Sequence, residues 1–306
     1  SPFFRKQENV LLNSSIMAVC CPEGSIGAAQ FTDNTEPNGT IETMEKNTIE
    51  QAMKMYITGV PLSQTKRIVI VFSDVYGYDS GRHFQFADEL SNKLSSTTVV
   101  VPDIFRGSPC MQPWTMFGEK LGSLLGAPAM LYRAKYWYNT VYIMSALTNL
   151  IHPWLIAKSN SNVKISSVGF CFGGWVIAKS ISQGFQMECA VSCHPAFNLE
   201  QIHGNSEDSL AEGVGATPYF LMPAGNDSEK IKVGGSALAI MARNRNVKDE
   251  NRISCEFKDM KHGWVTRGDP ADTSIATAQN KAMKKCVAFI KQYHSIEESS
   301  DSYLPY

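Results

Sequence analysis

The chain has 306 residues, 43% of them hydrophobic and 19% charged, with 28 Lys and Arg against 29 Asp and Glu, for a formal charge of -1. This balance offers no basic surplus to a phosphate backbone and no acidic tract to a cationic partner, which excludes nucleic acid as the expected partner. The apolar share is ordinary for a chain that buries a sizeable core.

The first 65 residues are polar and irregular, with Pro22, Gly24, Gly27, Pro37 and Gly39, and leave room for a hairpin or an edge strand pair. Residues 1–20 read as an N-terminal extension. Its short apolar pieces, Val10–Leu12 and Ile16–Cys21, are separated by Asn13, Ser14 and Ser15 and make a poor signal peptide. From Arg67 to Phe72 a β-branched run predicts a strand buried on both faces. A loop follows over 73–77. Phe84, Ala87, Leu90 and Leu94 then recur at helical spacing over 80–95. Thr97–Val101 is the next strand, stopped by Pro102. Residues 104–135, rich in Gly and Pro, read as a loop with short helices, and Tyr136–Leu150 as a helix. The most apolar stretch, Val141–Ala157, is broken by Asn149, His152 and Pro153, so no run spans a bilayer and no membrane is expected. Strands are predicted over Val163–Phe170, Met187–Cys193, Thr217–Pro223 and Arg252–Phe257. Helices are predicted from Gly174 to Gln183, over 229–246 and over Ser274–Tyr293. The acidic, Ser-rich residues 296–306 read as a mobile tail. Alternation of strands and helices predicts an α/β fold: one domain over 21–295, with a mostly parallel central sheet and helices on both faces.

Eight cysteines show no disulfide spacing, and a chain of this size does not need a covalent framework. Free thiols in a reducing, cytoplasmic compartment are the expectation. Cys189 and the pair Cys193-His194 raise the question of zinc. No second ligand pair has matching spacing, so they read as core residues and no metal or organic cofactor is expected.

The sharpest motif is Gly169-Phe-Cys-Phe-Gly-Gly174, set between a predicted strand and helix. It is a nucleophile elbow with Cys171 in the nucleophile position. Small residues at 169 and 173 let strand and helix approach around a strained turn, and the Phe172 N–H points toward a developing oxyanion. A thiol needs a base, and the base needs an orienting carboxylate. In this fold the order along the chain is nucleophile, acid, histidine. His262, in the loop after the strand ending at Phe257, is the expected base. His294 and His203 read as solvated, and His194 as a residue that ends a strand or lines the pocket. Asp227 follows the strand ending at Pro223 and is the expected acid, with a helix N-cap as its alternative role. A non-catalytic binding protein, or a redox sensor using Cys171, is the competing class.

Together these motifs resemble the dienelactone hydrolase (carboxymethylenebutenolidase-like) family of α/β-hydrolases. Val71-Phe-Ser-Asp-Val-Tyr-Gly77, Val101-Pro-Asp-Ile-Phe-Arg-Gly107 and His262-Gly-Trp264 are similar to its further segments, and Cys20-Cys-Pro-Glu-Gly-Ser25 to the opening of eukaryotic members. The resemblance implies hydrolysis of a small ester or lactone through a thioester acyl-enzyme. It implies Val75 as the second oxyanion donor beside Phe172, and Asp74 as a group that sets the protonation of the nucleophile. Arg106 and Arg267 fall near the arginines that hold a substrate carboxylate. Tyr76 and Trp264 are candidate pocket aromatics.

Overall fold

The computed structural model describes residues 20–29, 35–44, 52–107, 140–159 and 162–294. The expected extension up to residue 19, the loop from 108 onward, the first residues of the predicted helix from 136, and the tail 296–306 lie outside the described residues.

Seven strands form one sheet: β1 (Thr40–Met44), β2 (Met53–Gly59), β3 (Arg67–Phe72), β4 (Thr97–Pro102), β5 (Lys164–Phe170), β6 (Ala190–Cys193) and β7 (Tyr219–Met222). Their order is β1-β2-β4-β3-β5-β6-β7. The first two run antiparallel at the edge, the strand pair allowed for in the first 65 residues, and the other pairings from β4 to β7 are parallel. Among the described residues the longer helices are α1 (His83–Lys93), α2 (Thr140–Lys158), α3 (Phe172–Ser182), α4 (Glu207–Val214), α5 (Ser236–Asn244) and α6 (Thr273–Tyr293), with a single helical turn over Trp264–Arg267.

β3 shows why the sheet is covered on both faces. Ile68, Ile70 and Phe72 belong to one apolar cluster, shared with residues of α2 to α5. Val69 and Val71 belong to the other, shared with α1 and α6. The alternation is the two-residue period of a strand with both faces buried.

Several elements depart from the expected ones. The segment 252–257 is not a full strand; it makes two isolated parallel bridges, Leu221↔Ser254 and Ala224↔Phe257. Leu221 N–H donates to Ile253 O, and the N–H groups of Cys255 and Phe257 donate to Leu221 O and Pro223 O. Pro223 has no N–H to return, so the ladder loses that rung. The helix expected over 229–246 is a 3-10 turn, Glu229–Ile231, followed by α5, with Gly234 at φ 86° between them.

α2 runs to Lys158 rather than ending at 150. It passes Pro153 by way of a π-turn over Leu147–Ile151, which absorbs the register change where the proline offers no donor. Over its 19 residues, with mean hydropathy 1.2, it is long and apolar enough to cross a membrane by length and composition, although Asn149, His152 and Pro153 interrupt the sequence. Its Ile143, Ala146, Leu147, Leu150, Ile151 and Leu155 pack into the core as one stripe. The 3-10 turn Phe197–His203 and α4 fall in a region given no element from sequence; α4 starts with a reciprocal Ser206–Ser209 capping box.

Candidate functional site

β5 ends at Phe170 and α3 begins at Phe172, so Cys171 occupies the single residue of the turn, at φ 52° and ψ -114°. A left-handed backbone at a residue with a side chain is strained, and it persists because its surroundings fix it. The glycines set those surroundings. A Cβ on Gly169 would lie 2.5 Å from the Gly173 carbonyl, and one on Gly173 would lie 2.2 Å from Phe72 O on the adjacent β3. The helix thus rests against the sheet backbone, and the Phe172 N–H is one of the first-turn donors that a helix cannot satisfy internally. Val75 follows the neighbouring strand β3, in a buried loop.

Asp227 lies just beyond β7, with its Oδ2 accepting the Ala224 N–H at 2.7 Å. Its Oδ1 is 2.6 Å from His262 Nδ1. The N-cap alternative does not hold: Ser228 caps the following turn. The His262 backbone is held by Asn226, whose Oδ1 accepts the His262 N–H at 2.7 Å. Nδ1 is therefore committed to the carboxylate. Nε2 is buried, makes no hydrogen bond among the described residues, and faces the sulfurs of Cys171 and Cys21. The three residues placed on separate loops by the sequence reading converge in one buried cluster.

Two further sulfurs join them. The segment 20–27 crosses the site, tied down by Ile26 N–H to His262 O at 2.8 Å and Asn226 Nδ2 to Glu23 O at 3.0 Å. It sets Cys20 Sγ 3.4 Å and Cys21 Sγ 3.9 Å from Cys171 Sγ. The sequence reading quoted these cysteines only as a likeness to eukaryotic members. Nothing local to residue 20 signals a neighbour 151 positions away. Asn226 escaped notice for the same reason.

Burial pushes the Cys171 thiol up, only partly offset by its hydrogen bond to Cys20 and the charge of His262. Burial would lower the His262 imidazolium, but the charges of Cys171 and Asp227 outweigh it and raise its pKa well above the usual value. Hydrogen bonds from Cys171 and Cys20 pull Cys21 down.

Asp74 is buried, and among the described residues no hydrogen bond joins it to Cys171. Its Oδ1 accepts the Tyr76 N–H at 2.9 Å, and its Oδ2 accepts Thr266 Oγ1 at 3.0 Å. Arg267 Nη1 lies 3.3 Å and His83 Nε2 3.6 Å from the same Oδ2. The shorter Asp side chain closes on its own surroundings. Arg267 is buried, its guanidinium 4.6 Å from the centre of the Tyr76 ring, and its nitrogens make no hydrogen bond among the described residues. Its pKa rises despite burial, mainly through the charge of Asp74. Arg106 sits beyond β4 at φ 51°, 5.1 Å from the Tyr142 ring on α2.

Tyr76 and Cys21 line a cavity of 410 Å³, and Cys20, Asp227 and His262 line another of 370 Å³. Trp264 lines neither; it is fully buried, 4.5 Å from the Phe257 ring, and belongs to the core. His194 packs its ring 4.9 Å from that of His262, and burial drives its pKa well down. His203 is half-buried and stacks on Trp175 at 5.4 Å, and His294 is buried against Ser166. Cys189 meets Ser166 Oγ at 3.2 Å, and both Cys189 and Cys193 lie in the core.

No protein of curated function matches the chain in sequence. Among solved structures, it superposes on a dienelactone hydrolase-like promiscuous phosphotriesterase from metagenomic libraries with a TM-score of 0.53 at 14% identity, covering 83% of this chain and 98% of the other. An esterase of Pyrococcus furiosus gives 0.50 at 11% identity, over 88% and 100% of the two chains. An acylaminoacyl peptidase of Pyrococcus horikoshii gives 0.54 at 12% identity, over 86% of this chain and 43% of that one. These likenesses establish the α/β-hydrolase fold. A sequence profile of the dienelactone hydrolase family matches residues 53–294. The chain belongs to the dienelactone hydrolase family, a family of hydrolases acting on ester bonds.

Proposed function

We propose that the protein hydrolyses a small carboxylic ester or lactone with Cys171 as nucleophile, His262 as base and acid, and Asp227 as the group that orients it. The observation that carries this reading is the two-sided environment of His262. Nδ1 is 2.6 Å from Asp227 Oδ1, which leaves Nε2 as the lone pair turned toward Cys171.

Cys171 gives its proton to Nε2, and the thiolate attacks the carbonyl carbon. A C–S bond forms, and the carbonyl electrons move to oxygen, where the N–H groups of Phe172 and Val75 receive the charge. Collapse breaks the C–O bond; the leaving alkoxide takes the proton from Nε2 and a thioester remains. Water then gives its proton to Nε2 and attacks the thioester, and the C–S bond breaks to free the acid and restore the thiolate–imidazolium pair. Arg267, with unsatisfied donors beside Tyr76, is the group we assign to an anionic part of the substrate. Asp74 acts through Arg267, holding it in place. Seven unpaired cysteines among the described residues accord with a reducing, cytoplasmic setting.

A panel of nitrophenyl esters, lactones and thioesters tests the proposal. Wild type is expected to turn over at least one, and Cys171→Ala to lose roughly 10³-fold or more in kcat/KM. Activity that survives Cys171→Ala rejects the nucleophile. Absence of turnover, with reversible oxidation of Cys171 by peroxide, favours the sensor class.

A further inference from the structure

The hydrolytic cycle uses one sulfur, yet three converge. The Sγ atoms of Cys20, Cys21 and Cys171 all lie within 4.8 Å of one another, and among the described residues this is the group whose ligand atoms could hold a metal ion. The separations from Cys171, 3.4 and 3.9 Å, bracket the edge of a tetrahedron built on zinc–sulfur bonds of about 2.3 Å, roughly 3.8 Å. A fourth ligand stands beside them: His262 Nε2, buried and without a hydrogen bond among the described residues, neighbours Cys171 and Cys21 but lies outside the group of atoms within 4.8 Å of one another, so the ring must shift toward Cys20 to complete a tetrahedron. The other face of that ring donates to Asp227, the carboxylate–histidine pairing that fixes the tautomer and basicity of a metal-bound imidazole. Access exists on both sides, since one cavity reaches Cys20 and His262 and the other reaches Cys21.

We propose that Cys20, Cys21, Cys171 and His262 form a Cys3His site for a thiophilic divalent cation, zinc first, supplied jointly by the segment 20–27 and the catalytic loops. On binding, the aqua ion sheds its waters, each thiol still protonated releases its proton to solvent, and Nε2 binds as the neutral imidazole. Three thiolates around a divalent ion leave the site with one negative charge, and the Arg267 guanidinium lies close enough to influence both Cys171 and Cys21. Metal binding does not depend on the hydrolytic reading. Its consequence for activity does: the ion occupies nucleophile and base together, so a metal-loaded protein is inactive until a chelator frees it.

Cobalt(II) is the probe, titrated into the full chain under argon with a phosphine reductant, so that a disulfide cannot imitate loss of thiols. The expected result is one equivalent bound, with a sulfur-to-cobalt charge-transfer band and intense tetrahedral visible bands, both bleached by zinc. Cys20→Ser and Cys21→Ser are each expected to weaken zinc binding at least about 100-fold against a chromophoric chelator, more than the loss of an outer-shell partner costs. A circular-dichroism melt checks each variant. If one does not fold, the other and Cys171→Ser carry the comparison. A weak octahedral spectrum without a sulfur band overturns the proposal, as does wild-type affinity in both Cys20→Ser and Cys21→Ser. The spectrum reads no turnover, so a protein that hydrolyses esters but gives no sulfur band refutes the metal site alone. One that gives the band but hydrolyses nothing refutes the hydrolytic reading alone.

Discussion

In the proposed mechanism His262 needs its lone pair on Nε2, and Asp227 secures it, with Oδ1 2.6 Å from Nδ1. In Asp227→Asn the side-chain oxygen stays with the Ala224 N–H, which Oδ2 now accepts at 2.7 Å. The amide NH2 then faces Nδ1 and forces the proton to Nε2, the tautomer that cannot take a proton from Cys171. The charge that helps raise the imidazolium pKa is lost as well. Ester hydrolysis by Asp227→Asn is expected to fall about 10²–10⁴-fold in kcat/KM, with the thermal melt little changed. A loss under fivefold would remove Asp227 from the mechanism. The convergence of Cys171, Asp227 and His262 was legible because each stands in a local pattern: an elbow between strand and helix, and loops after predicted strands. Asp74 was not. Its partners come from His83, Thr266 and Arg267, Thr266 lying 192 residues away and Arg267 one further, and no local spacing encodes that pairing. His294 misled for the same reason, since its partner Ser166 lies 128 residues back.

The elbow is also a contract between elements. Gly173 lies in the first turn of α3, and a methyl there would meet Phe72 O at 2.2 Å, a backbone atom of β3 that no rotamer change can move. Gly173→Ala must push α3 off the sheet and carry the Phe172 N–H with it. We expect a loss of roughly 2–4 kcal/mol in a denaturant melt, together with a lower kcat, because the proposed oxyanion donor moves. Wild-type stability in Gly173→Ala would show that the helix has slack and that glycine is not required by packing. β3, β4, β5 and α6 were readable from β-branched runs and helical spacing, which report burial directly. The ladder beside β7 was not, because the apolar pattern of 252–257 looks like a strand while the missing N–H of Pro223 acts from the partner side. α4 was hidden by a Ser–Ser capping box in place of the usual acidic third residue.

For the whole molecule, two buried groups far apart in sequence set opposing responses to pH. Burial raises Asp103 from its ordinary 3.8 to about 6, although the Gly107 N–H donates to it at 2.6 Å. Burial lowers His294 from 6.5 to about 4. For Asp103 the folded state binds more protons than the unfolded one between pH 3.8 and 6, so its contribution falls as pH rises through that window. For His294 the unfolded state binds more protons between pH 4 and 6.5, so stability is full above that range and is lost as pH falls. At about 1.36 kcal/mol per pH unit, each displacement amounts to roughly 3 kcal/mol, and the two nearly cancel between pH 4 and 6. Asp103→Asn keeps an acceptor for Gly107 and removes one side of the balance. Its stability advantage over wild type is expected to reach up to about 3 kcal/mol at pH 7 and to vanish near pH 4. Urea melts of both proteins at pH 4, 5, 6 and 7 measure the gap. A gap of constant size across that range would mean that Asp103 does not titrate there, and that its buried carboxylate is stabilised by its loop rather than neutralised by protonation.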